Sequence, residues 1–415
     1  MSIDTLKPRP HAPDYGLVTV TLALLCIGIV MVYSASLVVG YAQYGDQAYF
    51  FQRQLLWCGA GVVIMFLFMR LPYQWWRRFS VPLMFLSVAM LVAVLVPGVG
   101  SATLGATRWI RIGGINIGQP SELCKVTLAI YMADWLAAKG ERVREFRYGL
   151  LPFLVVLLLI TGLVMKQPDM GTALVIIATA VTIFFVSGAN LMQLIPLGGL
   201  GALGLVGLAM GSGYRSGRLS TFMNPWSDPT GSGYHVIQSL IAIGSGGIQG
   251  LGLGDSRQKF PGLLPFPYTD SIFAVIGEEL GLVGCSVVLI LFLLLAYRGL
   301  RTAQRSADSF AGLLAIGISC QMALQAFLNI AVVTSTVPFT GITLPFVSYG
   351  GSSMLVSFAA MGILLNITRY TTETVRGTVG EEQAEAAVDR RRHGWARLPH
   401  AGRRASGTQP ALARG

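Results

Sequence analysis

Between residues 16 and 367 the sequence is built from apolar blocks of helix length, at about 16–38, 54–70, 80–97, 122–138, 149–165, 171–187, 190–210, 271–297, 311–333 and 344–367. A helix needs roughly 20 mainly apolar residues to cross the hydrocarbon, where every backbone amide must find its partner inside the segment. Blocks of this kind leave few folds open. They are too long, and too uniformly apolar, for the alternating strands of about ten residues that make a membrane barrel. The expected fold is an all-α polytopic membrane protein with about ten transmembrane helices. Composition agrees: 53% hydrophobic against 12% charged residues cannot coat a soluble globule of 415 residues.

An even number of spans puts both termini on one side, and the cations decide which. Arg70, Arg77 and Arg78 share one turn, Lys139, Arg142, Arg144 and Arg147 a second, and Arg298, Arg301 and Arg305 a third. All three turns fall on the face of the termini, which is therefore expected to be cytoplasmic. Residues 1–15 read as a short cytoplasmic arm, 16–369 as the membrane domain and 370–415 as a basic, disordered cytoplasmic tail lying near anionic headgroups. The first apolar block is too long for a cleavable signal, and no internal repeat is visible. Five cysteines without paired spacing indicate neither a disulfide framework nor a metal site. Of the four histidines, His11, His393 and His400 lie in the tails and only His235 is interior, which argues against a zinc site.

The largest place for polar chemistry is the Gly-rich and Pro-rich stretch at 211–270, expected as a large extracytoplasmic loop between the seventh and eighth helices. Within it Val236, Ile237, Leu240, Ile241 and Ile243 are spaced for a short amphipathic helix in the interface. Ionisable groups bordering spans are functional suspects by default, and four places stand out. In NIGQPSELCK at 116–125, Pro120 suits a first helical turn, and Glu122 and Lys125 share a face. That fits an intrahelical ion pair, and equally a lysine facing a cavity and binding an anionic headgroup. In KQPDMGT at 166–172, Asp169 fits an N-terminal cap of the next span. In TGITLPFVSYGGSS at 340–353, glycines and hydroxyls favour close helix packing, with a broken, cavity-lining helix as the alternative. In YTDSIFAVIGEE at 268–279, periodicity favours Asp270 as a helix cap over a catalyst, while Glu278 and Glu279 lie about two turns deeper, where each requires a partner.

These stretches together resemble the SEDS family of shape, elongation, division and sporulation proteins. RWIRIGGINIGQPSELCK at 108–125, KQPDMGTALV at 166–175, the loop at 218–259, TDSIFAVIGEELG at 269–281 and LPFVSYGGSS at 344–353 come in the family's order, and GEELG with QK in the loop is nearest its FtsW branch. The resemblance implies a ten-span peptidoglycan glycosyltransferase of the bacterial plasma membrane, joining the disaccharide of lipid II to a growing glycan chain at the outer face. It implies Asp270 as the essential acidic residue, over the cap, and Lys125 as the functional lysine. The matching stretches add Glu122, Arg108, Arg218, Ser256, Gln258, Lys259, Glu278 and Ser348 as substrate-contacting candidates, with Arg257 as a further cation.

The implied partners are lipid II, a class B penicillin-binding transpeptidase and other division or elongation membrane proteins, and no nucleic acid. No cofactor is implied beyond an optional divalent cation, magnesium or manganese, held by Asp270 against the pyrophosphate. Relatives usually read LPE-x-HTDFIFA where this chain has LPFPYTDSIFA, with Phe266 for the acid, Tyr268 for the histidine and Ser271 for phenylalanine. A mechanism needing a histidine or second carboxylate at those positions is therefore unsupported. Asn116 likewise stands where some relatives carry a basic residue. The rival readings are a lipid II flippase, which would need polar groups along the full depth of the membrane, and a non-enzymatic scaffold.

Overall fold

The computed structural model describes residues 10–103, 106–112, 115–190, 192, 195, 199, 222–231, 233–306 and 308–371. Helix α1 runs Tyr15–Tyr44, α2 Tyr49–Arg70, α3 Tyr73–Arg78 and α4 Ser80–Leu95. Then come α5 at Pro120–Lys139, α6 at Leu151–Lys166 and α7 at Met170–Val186. After the long loop follow α8 at Tyr234–Gly246, α9 at Ile272–Gln304, α10 at Ser309–Val333 and α11 at Gly351–Thr368.

Among the described residues six helices are long and apolar enough to cross a membrane: α1, α2, α6 with the π turn before it (Phe146–Lys166), α9, α10 and α11. Helices α4 and α7 are apolar but shorter, at 16 and 17 residues. Helix α5 has 20 residues but carries Glu122, Lys125, Asp134 and Lys139, and it is not among the six. The span expected at 190–210 lies almost wholly outside the described residues.

Local signals explain several boundaries. Asp14 caps α1 by accepting from Gly16 N and Leu17 N, and Gly45 ends that helix at a φ of 71° that suits a residue without Cβ. Pro120 opens α5, with Glu122 in its first turn and Lys139 in its last, as the helix dipole favours. Asp169 caps α7 through Thr172 N, as expected from its position. Packing then sets the bundle: α2 lies along α11, α9 along α1 and α10, and α10 along α5 and α7. The windows of α10 and α11 that could cross a membrane are the most enclosed by protein.

Three features depart from the sequence reading. The segment expected as a plain loop at 98–121 holds an antiparallel sheet of β1 (Gly100–Thr103), β2 (Ala106–Ile112) and β3 (Ile115–Gly118), in that order. Each strand is too short for alternation to stand out from the apolar background. The last span starts at Gly351, not 344, and residues 337–350 before it form no helix. Finally, α9 is broken at Gly281, whose φ is 65°. Loop 246–252 fills the break: Leu251 N and Gly252 N donate to the carbonyls of Glu278 and Glu279, while Leu282 N and Val283 N donate to those of Gly247 and Ile248. A Cβ on Gly281 would come within 2.4 Å of Gly250 N, so this close entry requires glycine. Non-helical backbone at such a depth is tolerated only where protein satisfies it.

Candidate active site

Asp270 lies two residues before α9, and no side-chain bond caps that helix at its N-cap, Ser271. The Asp270 backbone is fixed from the neighbouring elements. Asn329 of α10 donates one amide to Asp270 O at 2.9 Å and Ile342 O at 2.7 Å. Ser348 donates to Thr269 O at 2.7 Å, and Tyr349 N donates to Tyr268 O at 2.9 Å. Gly341, at a φ of 69°, brings loop 334–350 against the carboxyl, where an added Cβ would lie 3.2 Å from Asp270 Oδ2. The backbone at 268–270 is thus held by α10 and by Ser348 and Tyr349, while Gly341 lies against the half-buried carboxylate. Arg298, which pairs with Asp14, lies toward the other end of α9.

One turn along α10 from Asn329, Gln325 performs the matching task. Its Oε1 accepts from Lys125 Nζ at 2.6 Å and its Nε2 donates to Thr343 O at 3.0 Å. Lys125 also pairs with Glu122 Oε1 at 2.9 Å and is only 4% exposed. Of the two readings of this lysine, the intrahelical ion pair is the one seen: an ammonium within the bundle is costly unless a carboxylate balances it. The polar face Gln321, Gln325 and Asn329 escapes a sequence reading built on charges and motifs, because it carries neither. Three amides four residues apart on an apolar helix were the available signal.

Glu278 and Glu279, both buried, find the partners they require. Glu278 accepts from Ser256 Oγ at 2.5 Å, Arg257 N at 2.9 Å and Gln258 N at 3.2 Å. Glu279 accepts from Ser34 Oγ at 2.6 Å and Lys259 Nζ at 3.2 Å. Lys259 also donates to Gly254 O. Ser256, Gln258, Lys259 and Glu278 thus form an internal staple that clamps the loop onto the break in α9. Lys259 is corrected from a cation facing a ligand to a buried partner of Glu279, because an unpaired ammonium at 4% exposure would be costly.

Arg108 on β2 donates to Gln167 O and Pro168 O, tying the sheet to the turn before α7. Asp169 there accepts from Gln119 Nε2 at 3.0 Å and Thr172 Oγ1 at 2.8 Å, joining the starts of α5 and α7. Ser271 bonds His235 Nε2 at 2.8 Å and Pro265 O at 2.9 Å. Tyr268 packs against Phe50 with ring centroids 4.4 Å apart. Burial foremost, then the neighbouring Tyr349, pushes the Tyr268 phenol up to about 12. Arg218, and the side chain of Asn116 on β3, lie outside the described residues. Among the described residues no three His, Cys, Asp or Glu side chains cluster as a metal site.

The family model FTSW_RODA_SPOVE, described as a cell cycle protein, matches residues 15–373. The chain is 45% identical over 366 residues to "Stage V sporulation protein E" of Bacillus subtilis, covering 88% of this chain and 100% of that one. It is 46% identical over 355 residues to "Probable peptidoglycan glycosyltransferase FtsW" of Trichlorobacter lovleyi, covering 86% of this chain and 93% of the relative. Among solved structures it is similar to one described as "Structural coordination of polymerization and crosslinking by a peptidoglycan synthase complex", with TM-score 0.71 and 30% identity over 86% of this chain and 98% of that one. It is also similar to the rod shape determining protein RodA of Thermus thermophilus, with TM-score 0.64 and 28% identity over 87% of this chain and 98% of that one.

Proposed function

This chain belongs to the FtsW, RodA and SpoVE family of cell cycle proteins, and from that premise we propose how it acts. It is a multi-pass membrane protein and a peptidoglycan glycosyltransferase. Its substrate is lipid II, polymerised at the outer face, and both termini are cytoplasmic. Glycosyl transfer from a lipid diphosphate needs a base for the attacking hydroxyl and stabilisation of the departing diphosphate. Asp270 is the base. The acceptor 4-hydroxyl gives its proton to the carboxylate as its oxygen bonds the anomeric carbon, and the bond to the diphosphate breaks with the electron pair leaving on phosphate oxygen. A single carboxylate and direct displacement fit inversion rather than a two-carboxylate retaining scheme.

The observation that carries this reading is the convergence of Asn329, Ser348, Tyr349 and Gly341 on the residues around Asp270. A cap or a surface carboxylate has no need of such fixing, whereas a base must be held within reach of one proton. Lys125 of α5 supplies positive charge beside Gln325, which stands one turn along α10 from Asn329, and a diphosphate would compete with Glu122 and Gln325 for its protons. A divalent ion, if used, would have Asp270 as a protein ligand and draw its other oxygens from the diphosphate and water.

The partner we propose is a class B penicillin-binding transpeptidase, in keeping with the similarity to a synthase complex that couples polymerisation to crosslinking. The test is lipid II polymerisation by purified protein with and without that partner. Asp270→Asn should make no glycan while keeping the wild-type thermal midpoint and lipid II binding; near-normal glycan synthesis by that variant would end the assignment.

A further inference from the structure

The turn joining α1 to α2 carries an aromatic and cationic cluster that the chemistry above does not use. Tyr44 closes α1 and Tyr49 opens α2, and their rings stack with centroids 3.8 Å apart and planes within 10°. One turn along α2, the Arg53 guanidinium sits over the Tyr49 ring at 4.4 Å. A ring has two faces, so Tyr44 and Arg53 hold Tyr49 between them. Arg53 also acts on the Tyr349 hydroxyl, opposing the rise that burial gives that phenol.

Phe50, next along α2, packs on Tyr268 at 4.4 Å and Tyr349 at 5.4 Å. Tyr268 stands two residues before Asp270. Aromatic side chains therefore run without interruption from the outer turn to the neighbourhood of the carboxylate. At the outer end, Tyr44 keeps 53% of its surface exposed although Tyr49 covers one of its faces. Arg53 is exposed too, and among the described residues no carboxylate pairs with it.

Tyrosines at a membrane surface commonly serve as interfacial anchors. An anchor has no use for a ring stacked on a second ring that is itself capped by a guanidinium, an arrangement that fixes both groups in place at the outer end of the aromatic run that leads to Tyr268. What such a pair recognises is a flat apolar face edged with oxygens: the axial C–H face of a pyranose lies on an aromatic ring, and the five donors of a guanidinium meet sugar hydroxyls or a carboxylate.

We propose that Tyr44 and Arg53 form a saccharide subsite for the glycan strand, with Tyr44 stacking on a pyranose ring and Arg53 hydrogen-bonding its oxygens. The subsite rests on the glycosyltransferase reading and deepens it: a strand lengthened at Asp270 must be held a sugar or two away if it is to be extended repeatedly.

The probe is a set of soluble, uncrosslinked glycan oligomers of defined length. Their affinity for the full-length protein is measured by fluorescence, and product length is read from lipid II polymerisation with the cognate transpeptidase. Tyr44→Ala should weaken oligomer binding about tenfold and shorten the products, and Tyr44→Phe should retain both. Arg53→Lys, which keeps charge and stem but loses the planar fork, should also bind less tightly. Trp75→Ala, on α3 at the opposite end, is the control that changes neither. Wild-type oligomer affinity and product length in Tyr44→Ala would overturn the proposal, including the case in which only its thermal midpoint falls, as for a simple lipid anchor. If Tyr44→Ala does not fold, Arg53→Lys decides alone. A wild-type protein that binds oligomers yet makes no glycan would refute the function and leave the subsite standing.

Discussion

Replacing Asn329 by leucine, a side chain of similar size, removes one amide that serves two acceptors, Asp270 O at 2.9 Å and Ile342 O at 2.7 Å. The position is 1% exposed. Each buried carbonyl left without its donor costs about 1–3 kcal/mol, which sets a ceiling of roughly 6 kcal/mol for the pair. Two details lower it. Asn329 Oδ1 has no partner of its own, so the substitution also removes an orphaned acceptor, and water can reach the half-buried Asp270 side more readily than Ile342. A loss of about 2–4 kcal/mol is expected.

The kinetic signature separates positioning from mere stability. With the carbonyl of Asp270 released, the carboxylate shifts, and a displacement of about 1 Å can cost on the order of a hundredfold in rate. Lipid II polymerisation below the thermal midpoint should therefore show a large fall in kcat with little change in KM. A variant that is less stable but turns over like wild type would refute the idea that α10 positions the base.

Other substitutions follow from the same geometry. Lys125→Met should destabilise by about 3–5 kcal/mol because it strands Glu122 as a buried charge, and adding Glu122→Gln should restore much of that loss in thermal or denaturant unfolding. Glu278→Ala removes the acceptor for Ser256 Oγ, Arg257 N and Gln258 N, so residues 251–259 should become the first site of limited proteolysis in the folded protein, while an unchanged cleavage pattern would count against the staple. The Tyr268 phenol is raised from 10.0 to about 12, so the fold favours its neutral form. Its contribution is complete below pH 10 and is lost as pH rises through about 12, so Tyr268→Phe should flatten the alkaline arm of the stability profile.

How much of this was legible in the chain differs from group to group. Asp169 as a cap, the Glu122–Lys125 pair and the helix around Val236 were readable, because each depends on residues within a turn or two of one another. The roles of Ser348 and Lys259 were not. Both residues were singled out as substrate contacts, yet Ser348 holds Thr269 and Lys259 answers Glu279, partners that no spacing rule names.

The sequence by itself determined that this chain lives in a membrane, which of the described apolar stretches become helices, and which acid stands just before α9. Those are consequences of hydrocarbon thickness and backbone hydrogen bonding, which act on any short window of residues. Only the tertiary structure decided that α9 breaks to admit the loop, that 337–350 folds back over Asp270, and that Ser34 meets Glu279 across 245 residues. A buried charge or amide must be satisfied, but the sequence states only the need; which distant group meets it is settled when the helices pack.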